Sequence, residues 1–309
     1  MTSEVAVPAP GWERDGLGAV AIVGAGQVGT MLGLALRAGC HGPAADVALF
    51  DRDPAADVAL FDRDPAAAAA SLARGAGDRL LAGPAEALAA DTLVLALPVP
   101  DVLEFLREYG AAVRPGSLVL DTASAKGMVV RTMRECLPAG VHAMGGHPMA
   151  GTEGTGPAAA RPELLHDAVF VLTPVRTDPA ASARGLAFVR ALGARPVEMD
   201  AAVHDATVAR TSHLPHVAAF AVAAAAGRAA AGPGFAPGLA ATGYRSATRL
   251  AASDPRMVAS FLWANGAEVR AGIGELRDWL IHFEAALESG PEPLANLLAD
   301  ARSAGAVVT

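Results

Sequence analysis

The stretch Ala19-Val20-Ala21-Ile22-Val23-Gly24-Ala25-Gly26-Gln27-Val28-Gly29 decides the fold. Its first five residues are apolar and rich in β-branched side chains, which reads as a buried strand. They run directly into glycines at 24, 26 and 29 and then into the helix-forming stretch 30–38. A lone G-x-G-x-x-G is a weak signal, but one that follows a strand and opens a helix is the fingerprint of a dinucleotide-binding turn. Gly24 would permit the tight turn, Gly26 would let a pyrophosphate approach the backbone, and Gly29 would let helix and strand pack closely. The helix N-terminus then offers free N–H groups and a partial positive charge to the phosphates. The competing reading is an ordinary turn in a chain full of alanine and glycine, and the strand-turn-helix context argues against it.

Outward from this turn, short apolar runs at 92–97, 117–120, 169–172 and 195–199 alternate with helical segments. That alternation implies a mostly parallel sheet covered on both faces. Residues 17–199 are therefore expected to form a doubly wound α/β Rossmann domain after a loose tail, 1–16. From Asp200 the pattern changes. Residues 203–231 are nearly all helix formers apart from Pro215, Pro and Gly cluster at 232–238, and helical segments resume from 254 to about 288. Residues 200–309 read as an all-helical domain. The 20 residues from 290 to 309 are too few for an independent core, so no appended regulatory domain is expected. The Ala-rich helix over 212–231 is expected to bury against something: a second subunit related by a two-fold axis, or the rest of its own chain.

One feature of the sequence is a tandem copy. PAADVALFDRD occupies 43–53 and again 54–64. The sheet has room for one copy as its second strand. The first copy puts Asp51 22 residues after Gly29, near the spacing of the acid that binds a cofactor ribose. The second puts Asp62 directly before the helix that comes after such a strand. Asp62 is the preferred reading, because the surplus then hangs at the edge away from the cofactor. Either acid favours NAD over NADP, since it would repel a 2′-phosphate.

The chain has 309 residues, is 52% hydrophobic and carries a net charge of −8. An acidic balance argues against nucleic acid as a partner. No apolar run approaches the roughly 18 residues of a membrane helix, and no basic start precedes an apolar block, so neither a span nor a signal peptide is expected. Cys40 and Cys136 stand alone, which fits a reducing cytoplasm and no metal site.

Four further blocks carry polar chemistry. Asp121-Thr122-Ala123-Ser124-Ala125-Lys126-Gly127 comes after a strand, where it would face a nicotinamide, and Lys126 is the only lysine in the chain. In Gly145-Gly146-His147-Pro148 the histidine is expected on a fixed, exposed turn, able to exchange a hydrogen bond with a substrate hydroxyl. His213 and His216 in Ser212-His213-Leu214-Pro215-His216 are helical neighbours, but no third metal ligand has suitable spacing. Arg245 and Arg249 in 243–249 are candidates for a bidentate carboxylate clamp. Taken singly, each block could equally be a polar loop, a surface histidine or a structural ion pair.

In this order, and with GGHPMAGTEGTG at 145–156, HD at 204–205, SHLPH at 212–216 and TRLAASDP at 248–255, the chain resembles the prephenate/arogenate dehydrogenase family over residues 18–285. The resemblance implies a Rossmann domain and a helical dimerisation domain. It also implies NAD-dependent oxidative decarboxylation of a small anionic cyclohexadienyl substrate, prephenate by preference, in tyrosine biosynthesis. By the same resemblance His147 is the catalytic histidine and Ser124 positions it. His213 binds substrate, Arg249 grips a carboxylate, and Thr152 and Glu153 line the pocket entrance. Many members carry Asp in a Gly-aromatic-basic-Asp run where this chain has Ser246. Arogenate or a 4-amino-4-deoxy analogue of prephenate are alternative substrates. A non-catalytic NAD sensor is the alternative of another class, and it would bind NAD without turnover.

Overall fold

The computed structural model describes residues 17–38, 57–176 and 178–307. The tail 1–16, Cys40 and the first repeat copy with Asp51 lie outside the described residues.

Eight strands form one sheet in the order β3-β2-β1-β4-β5-β6-β7-β8. They are β1 Val20–Val23, β2 Val58–Phe61, β3 Arg79–Leu80, β4 Thr92–Leu95, β5 Leu118–Asp121, β6 His142–Pro148, β7 Val169–Pro174 and β8 Arg195–Glu198. All neighbours pair in parallel except β6 and β7. The second repeat copy is the second strand, with Val20 opposite Val58 and Val23 opposite Phe61. The helices are α1 Gln27–Ala38, α2 Pro65–Ala73, α3 Val99–Tyr109, α4 Gly127–Cys136 and α5 Pro179–Ala191. Ala21 and Val23 point into a core shared with Val102, Leu106 and Met133, while Val20 and Ile22 meet Met31, Leu32 and Phe188 on the other face. Both faces of β1 are therefore dry, which is what a fully apolar strand requires.

The pattern of apolar runs does not reveal β6. Its run His142-Ala-Met-Gly-Gly-His-Pro has no β-branched residue and two glycines, a composition that argues against a strand. The glycines are there for space. A Cβ on Gly146 would sit 2.3 Å from the Asp121 carbonyl oxygen, and one on Gly145 would press on Lys126 and Val130 at 3.1 Å. His147, expected on an exposed turn, is instead buried at the penultimate position of this strand.

After β8 the chain is helical. Asp200 caps α6, Ala201–Val208, by accepting from the Ala202 amide at 2.7 Å. A π-helical turn, Ala209–His213, leads into α7, Leu214–Ala230. Pro215 has no N–H for the carbonyl four residues back, so the turn before it widens instead of closing normally. There follow α8 Thr242–Thr248, α9 Pro255–Ala264, α10 Gly266–Ser289 and α11 Pro291–Gly305. The last carries the helical domain beyond residue 288, where the sequence pattern stops, and Pro291 starts it at a permitted first-turn position. Within the single chain α7 buries only Ala219. Trp263, Leu280, Ile281, Leu287 and Leu298 are all more than half exposed. No helix among the described residues is long and apolar enough to cross a membrane.

Candidate active site

The glycine turn joins β1 to α1 at the carboxyl edge of the sheet. Gly24 has φ +104°, and a Cβ there would meet the Ala96 carbonyl oxygen at 2.3 Å. A Cβ on Gly29 would lie 1.8 Å from the Gly24 carbonyl oxygen. The protein itself thus demands these two glycines. Gly26 differs: nothing lies within 4 Å of its Cβ position, so its open face is free for a ligand to approach the backbone. Asp62, at the end of β2, accepts from the Ala25 amide at 2.7 Å and the Asp64 amide at 2.8 Å, which places its carboxylate against the turn. The neighbouring Arg63 is held by Asp101 at 2.6 Å.

Next along the edge, the loop after β5 and the end of β6 are tied together by a buried ion pair. Lys126 Nζ donates to Asp121 and, at 2.6 Å, to the Gly146 carbonyl. The other Asp121 oxygen accepts from the Gly146 amide at 3.1 Å. Burial pushes the Lys126 amine down from its usual range, against the pull of Asp121. His147 stands one residue further on. Its Nδ1 lies 2.8 Å from His204 Nε2, and His204 Nδ1 lies 2.8 Å from Asp205. Burial, reinforced by His204, Lys126 and His213, holds the His147 imidazole well below the usual histidine range, so it is neutral at pH 7. Ser124 is half-buried in the loop before Lys126.

His213, in the π-helical turn, is fully buried and stacked on Phe261 at 4.7 Å. Its Nδ1 is 3.2 Å from Asn265 Nδ2, and its Nε2 is buried without a hydrogen-bond partner. Burial pushes this histidine down to about 4. The consequence for stability has a definite sign. The unfolded chain takes up a proton on this ring below about pH 6.5, whereas the folded chain does so only near pH 4. This contribution is therefore complete above pH 6.5 and is lost as pH falls between the two values. By pH 5 it should cost about 2 kcal/mol from His213 alone. Urea midpoints at pH 7 and pH 5 check this, with His213→Gln expected to flatten the difference; an equally steep pH dependence in the variant would contradict it.

At the outer rim Arg249 forms an ion pair with Glu153. Thr152 receives a hydrogen bond from Gln27 Nε2 at 2.6 Å, at the first residue of α1. The glycine turn, Asp62, Ser124, His147, Thr152 and the Glu153–Arg249 pair thus border one edge of the sheet, and the helical domain brings His213 to them. Two contributors were not singled out from the sequence: Gln27 and Asn265. The first hid inside the glycine fingerprint and the second sits alone between two helices. The HD pair is part of the recognised pattern, yet its link to His147 depends on β6, which the pattern of apolar runs does not reveal. Among the described residues no group of three or more His, Cys, Asp or Glu side chains could hold a metal ion.

The family model "Prephenate dehydrogenase, nucleotide-binding domain" matches residues 47–198, starting inside the first repeat copy and so after the glycine turn. The "Prephenate dehydrogenase, dimerization domain" matches residues 200–299. The cyclohexadienyl dehydrogenase of Zymomonas mobilis is 32% identical over 241 residues, which cover 77% of this chain and 78% of that protein. The prephenate dehydrogenase of Bacillus subtilis is 32% identical over 190 residues, 61% of this chain but only 50% of its own length. In three dimensions, the prephenate dehydrogenase of A. aeolicus solved with hydroxyphenyl propionate and NAD+ superposes with a TM-score of 0.80. It covers 94% of this chain and 98% of its own, at 23% identity, and so shares the fold. With both domains matched and this much of one relative aligned, the chain belongs to the prephenate dehydrogenase family.

Proposed function

We propose that this chain carries out the NAD-dependent oxidative decarboxylation of prephenate to 4-hydroxyphenylpyruvate, in the cytoplasm, as a step of tyrosine biosynthesis. The observation that carries this reading is His147: a neutral, buried imidazole bonded only through Nδ1, on the same sheet edge as a turn built for a dinucleotide. Residues 17–199 would hold the dinucleotide, and residues 200–309 would complete the substrate pocket and the subunit contact.

The residues present fit NAD. The open face of Gly26 and the N-terminus of α1 suit a pyrophosphate, and the Asp62 carboxylate suits ribose hydroxyls while repelling a 2′-phosphate. When bound, NAD supplies the hydride acceptor. His147 Nε2 takes the proton of the ring hydroxyl as hydride leaves the same carbon, forming a ketone. The bond from the ring to its carboxylate then breaks, and its electron pair enters the ring and reaches the oxygen. CO2 departs, the ring becomes aromatic, and His147 returns the proton to the phenolate. Ser124 would position His147 and the nicotinamide, His213 and Arg249 would hold substrate oxygens, and Thr152 and Glu153 would border the entrance. The Arg249–Glu153 pair would open when a substrate carboxylate replaces Glu153.

The reading is tested by measuring kcat/KM for prephenate, arogenate and the 4-amino analogue in parallel, each with NAD and NADP. Prephenate with NAD should give the highest value; equal or better turnover with NADP would remove the cofactor assignment. Asp62→Ala should raise KM for NAD while kcat changes little, and Asp51→Ala should have little effect. The reverse pattern would assign the ribose to the first repeat copy. A two-fold homodimer is proposed on α7, which buries only Ala219 within its own chain, together with the exposed apolar residues of α9 to α11. A monomeric mass by light scattering at assay concentration would contradict it.

A further inference from the structure

We propose that His204 and Asn265, both anchored on Asp205, are positioning residues that fix the two site histidines as opposite tautomers: His147 accepts at Nε2 and His213 donates from Nε2.

The argument begins at Asp205. Its carboxylate accepts from the Lys126 amide at 2.7 Å and the Gly127 amide at 2.8 Å, where α4 begins. Burial works against its charge, but the hydrogen bonds from His204 and these two amides outweigh it and hold the carboxyl below its usual range. An ionised carboxylate only accepts, so His204 Nδ1, 2.8 Å away, must donate to it. In the proposed arrangement His204 carries its one hydrogen on Nδ1 and accepts at Nε2. Facing that Nε2 at 2.8 Å is His147 Nδ1, which therefore carries the proton. The His147 lone pair is left on Nε2, where no described residue bonds it.

The second branch leaves the same residue through its backbone. Asn265 Nδ2 donates to the Asp205 carbonyl at 2.8 Å and lies 3.2 Å from His213 Nδ1. Turning the amide over would set its oxygen against that carbonyl, two acceptors face to face, so the nitrogen is correctly placed. An amide nitrogen only donates, hence His213 Nδ1 accepts and Nε2 bears the hydrogen. That N–H is buried and makes no hydrogen bond of ordinary geometry, although the Ser124 backbone carbonyl lies near enough to the ring to favour its protonated form. Such a group costs about 1–3 kcal/mol, so a bound ligand is expected to place an oxygen there. The ligand thus meets an acceptor at His147 and a donor at His213, two unlike groups held by one aspartate. The role of these residues in turnover rests on the proposed reaction; the tautomers themselves do not.

The test is a two-bond 1H–15N correlation spectrum of the full chain labelled with 15N-histidine, at pH 7 without ligand. The expected result is His147 as the Nδ1–H tautomer and His213 as the Nε2–H tautomer, signals being assigned with single-histidine substitutions. His204→Leu should release His147 to the Nε2–H form and lower kcat on the order of 10–10²-fold, with KM for the dinucleotide unchanged. His204→Gln, whose amide oxygen can accept from Nδ1, should keep the wild-type tautomer and most of the rate. An Nε2-protonated His147 in the wild-type spectrum would overturn the proposal whichever substrate is turned over, and so would a Gln variant no better than Leu. If the Leu variant does not fold, the wild-type spectrum decides alone.

Discussion

His147→Asn is expected to lower kcat by ~10²–10⁴-fold while the Kd for the dinucleotide stays within about twofold. The loss of rate would reflect the role proposed for the imidazole, a neutral acceptor at the end of β6, since Asn offers no basic nitrogen there. The unchanged affinity reflects where it sits. The glycine turn and Asp62 lie on β1 and β2, across β4 and β5 from β6, and none of their hydrogen bonds passes through His147. Rapid-mixing measurement of the rate at saturating substrate, with fluorescence titration of NADH, separates the two. A variant that keeps most of its kcat would take His147 out of the proton transfer. A loss of both rate and dinucleotide binding would point to a misfolded edge instead.

Gly29→Ala is expected to be the most damaging single methyl in the dinucleotide-binding turn. Its Cβ would sit 1.8 Å from the Gly24 carbonyl oxygen and 3.3 Å from Ala96 Cβ, so α1 must move off β1. Overpacking of this kind costs about 1–3 kcal/mol, here against a backbone atom that cannot rotate away. Both the melting temperature and the dinucleotide affinity should fall. Gly26→Ala is the informative contrast, because its Cβ position is empty in the free protein. That variant should melt with the wild type yet bind NAD at least ~10-fold more weakly, since the methyl occupies the face the pyrophosphate needs. Thermal melts with and without NAD read both effects. A Gly26→Ala protein with unchanged affinity would mean that the phosphates do not approach this turn.

The sheet was legible wherever strands were apolar on both faces. β1, β4 and β5 announce themselves because a parallel strand covered on two sides must be continuously hydrophobic. β6 did not, because its glycines answer to the Asp121 carbonyl and the Lys126 side chain, contacts between positions roughly 20 or more residues apart. Without β6 as a strand, His147 reads as lying on an exposed turn, and its link to His204 does not show in the sequence. The repeat shows the opposite case. Two identical copies have identical local propensity, and only the element after each tells them apart. Asp64 of the second copy caps α2, accepting from the Ala66 amide at 2.9 Å. The buried Lys126 illustrates a third limit. A sole lysine in a polar loop carries no mark of burial in the sequence, and only the closure of β5 on β6 gives it Asp121 and the Gly146 carbonyl as partners.

The central claim is that one chain couples hydride loss to loss of CO2 at a site built around His147. It is tested most directly by incubating the purified protein with NAD and prephenate labelled with 13C in the ring carboxylate. NADH absorbance and released 13CO2 are then followed together. The expected result is NADH and 13CO2 in a 1:1 ratio, with both signals falling by the same factor in His147→Asn. Binding of NAD without NADH formation from prephenate, arogenate or the 4-amino analogue would contradict the claim and leave the chain a dinucleotide-binding protein without this chemistry.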